Sequence, residues 1–245
     1  MISHIWHTIF YQPLYNALVF LVSFFPEHSM FFAVVILTII VRFILYPFSY
    51  KALKTQIGMS RIKGKLKEVQ EKYPDKQEQA KKTMELYKEY GVNPFSSFVT
   101  ILVQLPIIIA LYKVFQDFSM KGLDSSLLYS FISAPETINL TSFGINLAEK
   151  SILLALLTGI TQYIYLQLSS SLRKKIEEKD GVTEKTAQEK IMESVGSSMK
   201  YTMPIIITVI AYIAGGALAL YWVISNIFII LQEKYIHNKL KKENA

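Results

Sequence analysis

Residues 201–232 read YTMPIIITVIAYIAGGALALYWVISNIFIILQ, a run without one charged side chain. A helix needs about 20 mostly apolar residues to cross the hydrocarbon core, so this run is long for one crossing and short for two. Gly215 and Gly216 offer a turn at its middle. The flanking charge decides between the two readings. From Lys234 onward the tail carries Lys234, Lys239, Lys241 and Lys242 against Glu243. A single crossing would leave this basic tail on the outer side, against the positive-inside rule. Two short spans are therefore expected, 202–214 and 217–233. A helix of about 13 residues rises roughly 20 Å, short of a core about 30 Å thick, so it should thin the bilayer locally or tilt little.

The rest of the chain follows the same logic. Further uncharged or nearly uncharged runs occur at 29–41, 94–112 and 151–172. Hydrophobic residues make up 51% of the 245 and the mean hydropathy is +0.30. Strand-like alternation of polar and apolar residues is missing, which favours helices over a barrel. The expected fold is an all-α membrane protein with five spans at 29–50, 95–116, 151–171, 202–214 and 217–233. Residues 8–25 are apolar but interrupted by Gln12, Pro13 and Asn16. They are read as a helix lying in the outer interface, the rival being a sixth span. The division is an outer segment 1–28 and a core 29–245. No Lys or Arg precedes Arg42 and no A-x-A site follows the first apolar stretch, so a cleaved signal is not expected. The chain has no cysteine, which excludes disulfides and thiolate metal sites.

Charge sets the orientation. Residues 51–93 carry eleven basic and six acidic side chains, and 173–200 carry seven and six. With the tail, these segments hold 22 of the 26 Lys and Arg residues. Segment 117–150 has only Lys121 and Lys150 against Asp117, Asp124, Glu136 and Glu149. The basic segments are therefore expected in the cytoplasm, with the N-terminus outside and the C-terminus inside. The cytoplasmic parts are then 52–92, 172–200 and 234–245. In the first of them Leu53, Ile57, Ile62, Leu66, Val69 and Tyr73 recur at helical spacing, as do Ala80, Met84 and Tyr87. Tyr73-Pro74-Asp75 is a turn between the two stripes, so a hairpin of two amphipathic helices is expected.

Arg42 is the least expected residue in the spans. It lies between Thr38-Ile39-Ile40-Val41 and Phe43-Ile44-Leu45. An arginine at the centre of a span costs about 2.5–3.5 kcal/mol on insertion scales, which makes it a candidate functional residue. Thr38, Arg42, Tyr46 and Ser49 would share one face of a continuous helix. Ser96, Thr100 and Gln104 form a second polar stripe, and Thr158, Gln162, Tyr165 and Ser169 a third. Tyr221, Ser225 and Gln232, with Asn226 beside them, form a fourth. No Asp or Glu is expected within a span, so Arg42 would be solvated by water and neutral polar groups. The four stripes lie in the cytoplasmic halves and the outer halves are apolar. The implied site is a wet cavity open to the cytoplasm and sealed outside, lined by Arg42, Thr38, Tyr46, Gln104, Gln162, Tyr221, Ser225 and Asn226. The competing reading of each stripe is interhelical hydrogen bonding. Lys113, about one turn from the outer end of its expected span, is read as snorkelling.

The same residues narrow the function. Without an acid in a span, the usual proton relay or sodium site of a driven transporter is missing. His4, His7, His28 and His237 all lie outside the five core spans, and no nucleotide fingerprint is present. No metal, cofactor or covalent catalysis is expected, so the protein is not read as an enzyme. A small channel or carrier for anionic solutes using Arg42 is the alternative function, and an assembly scaffold a third.

Several ordered motifs add a resemblance. They are Tyr11-Gln12-Pro13-Leu14, Leu37-Thr38-Ile39-Ile40-Val41-Arg42 with Tyr46-Pro47, and Leu86-Tyr87-Lys88 with Asn93-Pro94. Gln104-Leu105-Pro106-Ile107 with Ala110-Leu111-Tyr112, and Leu220-Tyr221-Trp222-Val223-Ile224-Ser225-Asn226 with Gln232, complete the set. Together they resemble the YidC/Oxa/Alb membrane protein insertase family, in the form without the large periplasmic domain. The resemblance implies a five-span insertase core in the bacterial cytoplasmic membrane. It implies a hydrophilic groove with Arg42 as its positive charge and Thr38 and Tyr221 close by. The implied partners are nascent membrane proteins, membrane lipids, the ribosome and the Sec translocon, without direct nucleic acid recognition.

Overall fold

The computed structural model describes residues 2–93, 96–179 and 187–243, and almost all of its regular structure is helical. The order is α1 (Ile2–Trp6), a π-helical turn (His7–Tyr11), α2 (Gln12–Phe24) and α3 (Met30–Ile44). Then come α4 (Tyr46–Arg61), α5 (Lys63–Lys72), α6 (Lys76–Glu89) and α7 (Ser96–Lys121). A short antiparallel pair, β1 (Thr141–Ser142) and β2 (Ile145–Asn146), precedes α8 (Ile152–Lys179), α9 (Ala187–Ala214) and α10 (Gly216–Glu243). Pro94 and residues 180–186 of the loop 172–200 lie outside the described residues.

Among the described residues three helices are long and apolar enough to cross a membrane: Leu102–Met120, Ile152–Leu172 and Gly216–Leu240. A fourth is present if α3 and α4 form one broken span, and Ser198–Ala214 is a shorter apolar helix. The chain divides into two compact units. The first comprises Met1–Ile44, Leu102–Tyr165 and Tyr201–Ile230. The second comprises Leu45–Ile101, Leu166–Lys200 and Leu231–Ala245.

In the first unit the turn at Gly215 falls where the sequence placed it. Gly215 has φ +98°, a left-handed geometry that an L side chain strains to adopt. The turn is also clamped. Gly216 N donates to the Glu149 carbonyl at 2.7 Å and Ala217 N to that of Leu147 at 3.0 Å, satisfying two of the orphan donors that open α10. A Cβ on Gly216 would stand 3.1 Å from the Leu147 Cα and the Glu149 oxygen, so glycine permits the close approach.

The N-terminal segment packs within this unit, with Tyr15, Leu18, Val19 and Val22 of α2 fully buried. Gln12 and Asn16, which interrupt its apolar pattern, bind the loop after α7. Asn16 Nδ2 donates to the Leu127 carbonyl at 2.9 Å, and Tyr129 N donates to Asn16 Oδ1 at 2.7 Å. Burying an amide is tolerated when its bonds are made, and here they staple helix to loop. The loop in turn pins the start of α3, since Met30 N donates to the Asn139 carbonyl at 2.9 Å.

Two expected spans change at their ends. The first stops at Ile44, and Tyr46 opens a new helix with Pro47 in its first turn. Proline has no N–H to donate to the carbonyl four residues back and its ring crowds that carbonyl, so a continuous helix to residue 50 breaks. The second runs on to Lys121 and ends at Gly122, φ +73°. Lys113 therefore stands about two turns from the helix end, a correction to its expected position, and Asp117 lies inside the apolar segment Leu102–Met120. The expectation of spans without acids fails at Asp117, and also at Glu233, which closes the span 217–233 and is only 6% exposed.

In the second unit Ile57, Ile236 and Leu240 form a core against Tyr46, Tyr50 and Leu53. A second cluster joins Ile62, Leu86 and Val92. Segment 52–92 contains three helices where two were expected. Ile62 leaves helical geometry at φ −89°, ψ 5° and is buried, which separates α4 from α5. The turn at 73–75 is capped as its residues suggest, with Glu78 N donating to Asp75 Oδ2 at 3.1 Å. No residue of α5 is buried, and Leu86 alone is buried in α6. Amide exchange in α5 and α6 is therefore expected to be roughly a hundredfold faster than at 217–226 in α10, where buried residues dominate. Equal protection in a hydrogen-exchange experiment would contradict this.

Candidate functional site

The first unit sinks polar groups into an apolar bundle. Arg42 comes from α3, Gln104 from α7, Thr158 and Thr161 from α8, and Tyr221, Ser225 and Asn226 from α10. Helical spacing explains the presentation. Thr38 and Arg42 are four residues apart on α3, as are Tyr221 and Ser225 on α10.

Arg42 is 8% exposed and its Nε has no hydrogen-bond partner among the described residues. The phenols of Tyr221 and Tyr165 lie within electrostatic reach of its charge. Gln104 Nε2 donates to Tyr221 Oη at 2.6 Å, while its Oε1 is buried without a partner. Ser225 Oγ is likewise buried, and it too has no partner among the described residues. Three orphaned polar atoms, one on each of α3, α7 and α10, are unusual. Buried polar groups are nearly always bonded to protein or water, and each orphan costs about 1–3 kcal/mol. Such a set calls for ordered water or a polar ligand.

The other stripe residues are used differently. Thr38 Oγ1 donates to the Val34 carbonyl of its own helix at 2.6 Å. Asn226 Nδ2 donates to Thr161 Oγ1 at 3.1 Å and to the Thr158 carbonyl at 3.4 Å. Thr158 Oγ1 donates across to the Ala219 carbonyl at 3.1 Å. These bonds brace α8 against α10, the interhelical role that the sequence left open for each residue. Gln162 is half-buried on α8. Tyr46 belongs to the second unit, where it packs against the core of Ile57, Ile236 and Leu240. Gln232 and Ser169 also fall in the second unit, and the side chains of Ser96 and Thr100 lie outside the described ones. Sequence reasoning missed Thr161. The signal was its position three residues after Thr158, on the same helix face.

Beside this group lies an apolar cleft of about 360 Å³. Ile108, Ile109 and Tyr112 of α7 face Ile210 and Ile213 of α9 across it, and Trp222 of α10 closes it. Among the described residues no group of three or more His, Asp or Glu could hold a metal ion.

Long apolar helices with buried, partly orphaned polar groups define a multi-pass helical membrane protein. The sequence profile of the 60Kd inner membrane protein family matches residues 20–243. The chain belongs to that family, the YidC/Oxa family that its motifs resemble. It is 31% identical over 241 residues to a membrane protein insertase YidC of Oceanobacillus iheyensis, covering 96% of this chain and 85% of that one. A membrane protein insertase YidC of Clostridium tetani is 31% identical over 221 residues, 90% of this chain and 86% of its own length. One from Wolinella succinogenes is 30% identical over 236 residues, which are 96% of this chain and 38% of the longer protein.

Proposed function

We propose that this protein inserts other membrane proteins into the bilayer by lending polar groups to the part of the substrate that must leave water. The observation that carries the reading is the trio of orphaned buried atoms, Arg42 Nε, Gln104 Oε1 and Ser225 Oγ. A substrate's polar segment would bond to these groups and to the water they hold. The Arg42 charge would attract acidic residues in that segment. The substrate's apolar segment would pass along the Ile108–Trp222 cleft into lipid, driven by its own transfer from water. No covalent bond is made or broken, so the protein acts without catalysis.

The proposed topology is five spans with the N-terminus outside and the C-terminus in the cytoplasm, in a bacterial inner membrane. It rests on the charge asymmetry of the loops and on the left-handed turn at Gly215. Nascent membrane proteins are the proposed substrates, and relatives bearing the insertase name support that choice. The ribosome and the Sec translocon are proposed as partners on the family resemblance.

The absence of cysteine makes the groove testable, since single cysteines can be read without background. Thiols react as thiolates and so report water. Cysteines at Gln104, Gln162 and Ser225 are expected to react with a membrane-impermeant maleimide from the cytoplasmic side only. Cysteines at Val35 and Ile109 are expected to stay unlabelled from both sides. Labelling of those two would indicate a continuous pore and favour the anion channel. Silence at all three groove positions would remove the wet groove.

A further inference from the structure

A second polar site lies in the first unit, away from the Arg42 group. Asp117 follows Gln104 by thirteen residues on α7, about 20 Å along the helix. There a cavity of about 390 Å³ is lined by Trp6, His7, Tyr11, Tyr15, Lys113, Asp117, Gly122, Asp124 and Leu127. The groove mechanism uses none of these residues.

A π-helical turn at His7–Tyr11 interrupts the N-terminal helix, a rare geometry that recurs at functional sites. It brings the His7 and Tyr11 rings within 5.0 Å of each other. The Tyr11 ring also lies 6.0 Å from Trp6 and 6.0 Å from Tyr15, which is itself fully buried and stacked on Phe118. The Trp6 and Tyr11 rings therefore stand beside the Asp117 carboxylate. Tyr11 Oη donates to Asp117 Oδ2 at 2.7 Å, and Asp124 N donates to Tyr15 Oη at 2.7 Å. Burial, the bond to Asp117 and the nearby negative charges hold the Tyr11 phenol well above its ordinary range, so it stays a neutral donor. Rings stacked around a site with acids at its edge are how proteins hold an ammonium group. Lys113 lies one helical turn from Asp117, with Cβ atoms about 5–6 Å apart. That pairs one positive with one negative side chain across the short two-carbon spacing of an ethanolamine phosphate. The elements around the cavity expose Ile5, Ile9 and Met120, an apolar rim suited to acyl chains.

We propose that this cavity binds the headgroup of an aminophospholipid, the ammonium at Asp117 beside the Trp6 and Tyr11 rings, the phosphate at Lys113. A primary ammonium offers N–H donors to the Asp117 carboxylate, which a trimethylated headgroup lacks, and phosphatidylglycerol offers no cation. Which leaflet supplies the lipid rests on the proposed topology, whereas binding itself does not.

The test uses the full chain in detergent with Trp222→Phe, which leaves Trp6 as its sole indole of two. Dihexanoyl phosphatidylethanolamine is titrated against Trp6 emission, beside the matching phosphatidylglycerol, phosphatidylcholine and lipid-free glycerophosphoethanolamine. Saturable binding of the ethanolamine lipid, roughly tenfold tighter than of either other lipid, is expected. Asp117→Asn should lose roughly that factor, and Lys113→Gln should weaken binding while leaving the Trp6 and Tyr11 rings in place. Lys113 is exposed, so its variant keeps the test readable if Asp117→Asn fails to fold. Equal affinity for the three lipids, or full affinity in Lys113→Gln, would overturn the proposal. Glycerophosphoethanolamine binding as tightly as the lipid would overturn the lipid as its source.

Discussion

Arg42→Ala is expected to lose most insertion of substrates whose translocated segment is acidic, by tenfold or more, while Arg42→Lys keeps a large part. A tenfold loss corresponds to about 1.4 kcal/mol of missing stabilisation, within what one charge contributes in a partly dry site. The lysine retains the charge but not the planar fork of donors, so recovery should be incomplete. Substrates with neutral tails should lose much less, because the attraction is electrostatic. Reconstituted liposomes with a pair of single-span substrates, one acidic and one neutral, supply the measurement. The competing idea is that Arg42 only braces the bundle. It is buried at 8% exposure, so such a role is physically reasonable. Bracing would lower the amount of folded protein for Arg42→Ala and leave insertion per folded molecule unchanged for both substrates. An unchanged ratio of acidic to neutral insertion would therefore end the proposed role of the charge.

The second large effect lies in helix packing. Gly159 of α8 stands against α9 where a Cβ would overlap Thr208 Oγ1 and come 3.3 Å from the Pro204 carbonyl oxygen. Thr208 Oγ1 donates to that same oxygen at 2.8 Å. Proline cannot donate a backbone bond, and its neighbours here already hold a close helix approach. Gly159→Val is expected to force the helices apart or rotate Thr208 off its bond, at about 1–3 kcal/mol for overpacking and about 1 kcal/mol for the bond. The expected result is a sharp fall in accumulated protein and a lower midpoint of thermal unfolding in detergent. Gly159→Ala should be milder, and pairing it with Thr208→Ala should restore much of the loss by removing the overlapped atom. If Gly159→Val accumulates normally, or the double variant is no better than Gly159→Ala alone, the close contact does not set the helix approach. Small residues at helix crossings matter in membranes because lipid tails offer no hydrophobic drive to bring helices together, so close packing must supply it.

How much of this was legible beforehand differs by element. The break at Gly215 was readable because two glycines interrupt an apolar run whose length and flanking charge already demanded a turn. Arg42 was readable because a charge within lipid is costly wherever its helix packs. The turn at Tyr73-Pro74-Asp75 was readable because turn residues act locally and need no tertiary partner. By contrast, Gln12 and Asn16 read as mere interruptions of an apolar pattern. Their bonds go to residues more than one hundred positions away, and no local spacing encodes that. Asn226 read as lining and is found donating to Thr158 and Thr161, because which face of α10 meets α8 depends on how both helices rotate.

The amino-acid sequence by itself determined the membrane class, the helical composition, the turn at Gly215 and the family, since hydrocarbon solvent penalises every unsatisfied backbone group and so restricts the chain to a few periodic solutions. Only the tertiary structure decided which polar side chains are satisfied and which are not. Thr158, Thr161 and Asn226 consume one another's bonding capacity, whereas Arg42 Nε, Gln104 Oε1 and Ser225 Oγ are left over. It also decided that Tyr46 stands on a separate helix from Thr38 and Arg42, because Pro47 lies in the first turn of a new helix. Satisfaction is a property of pairs brought together across the chain, and helical period alone assigns a face to each residue without naming its partner.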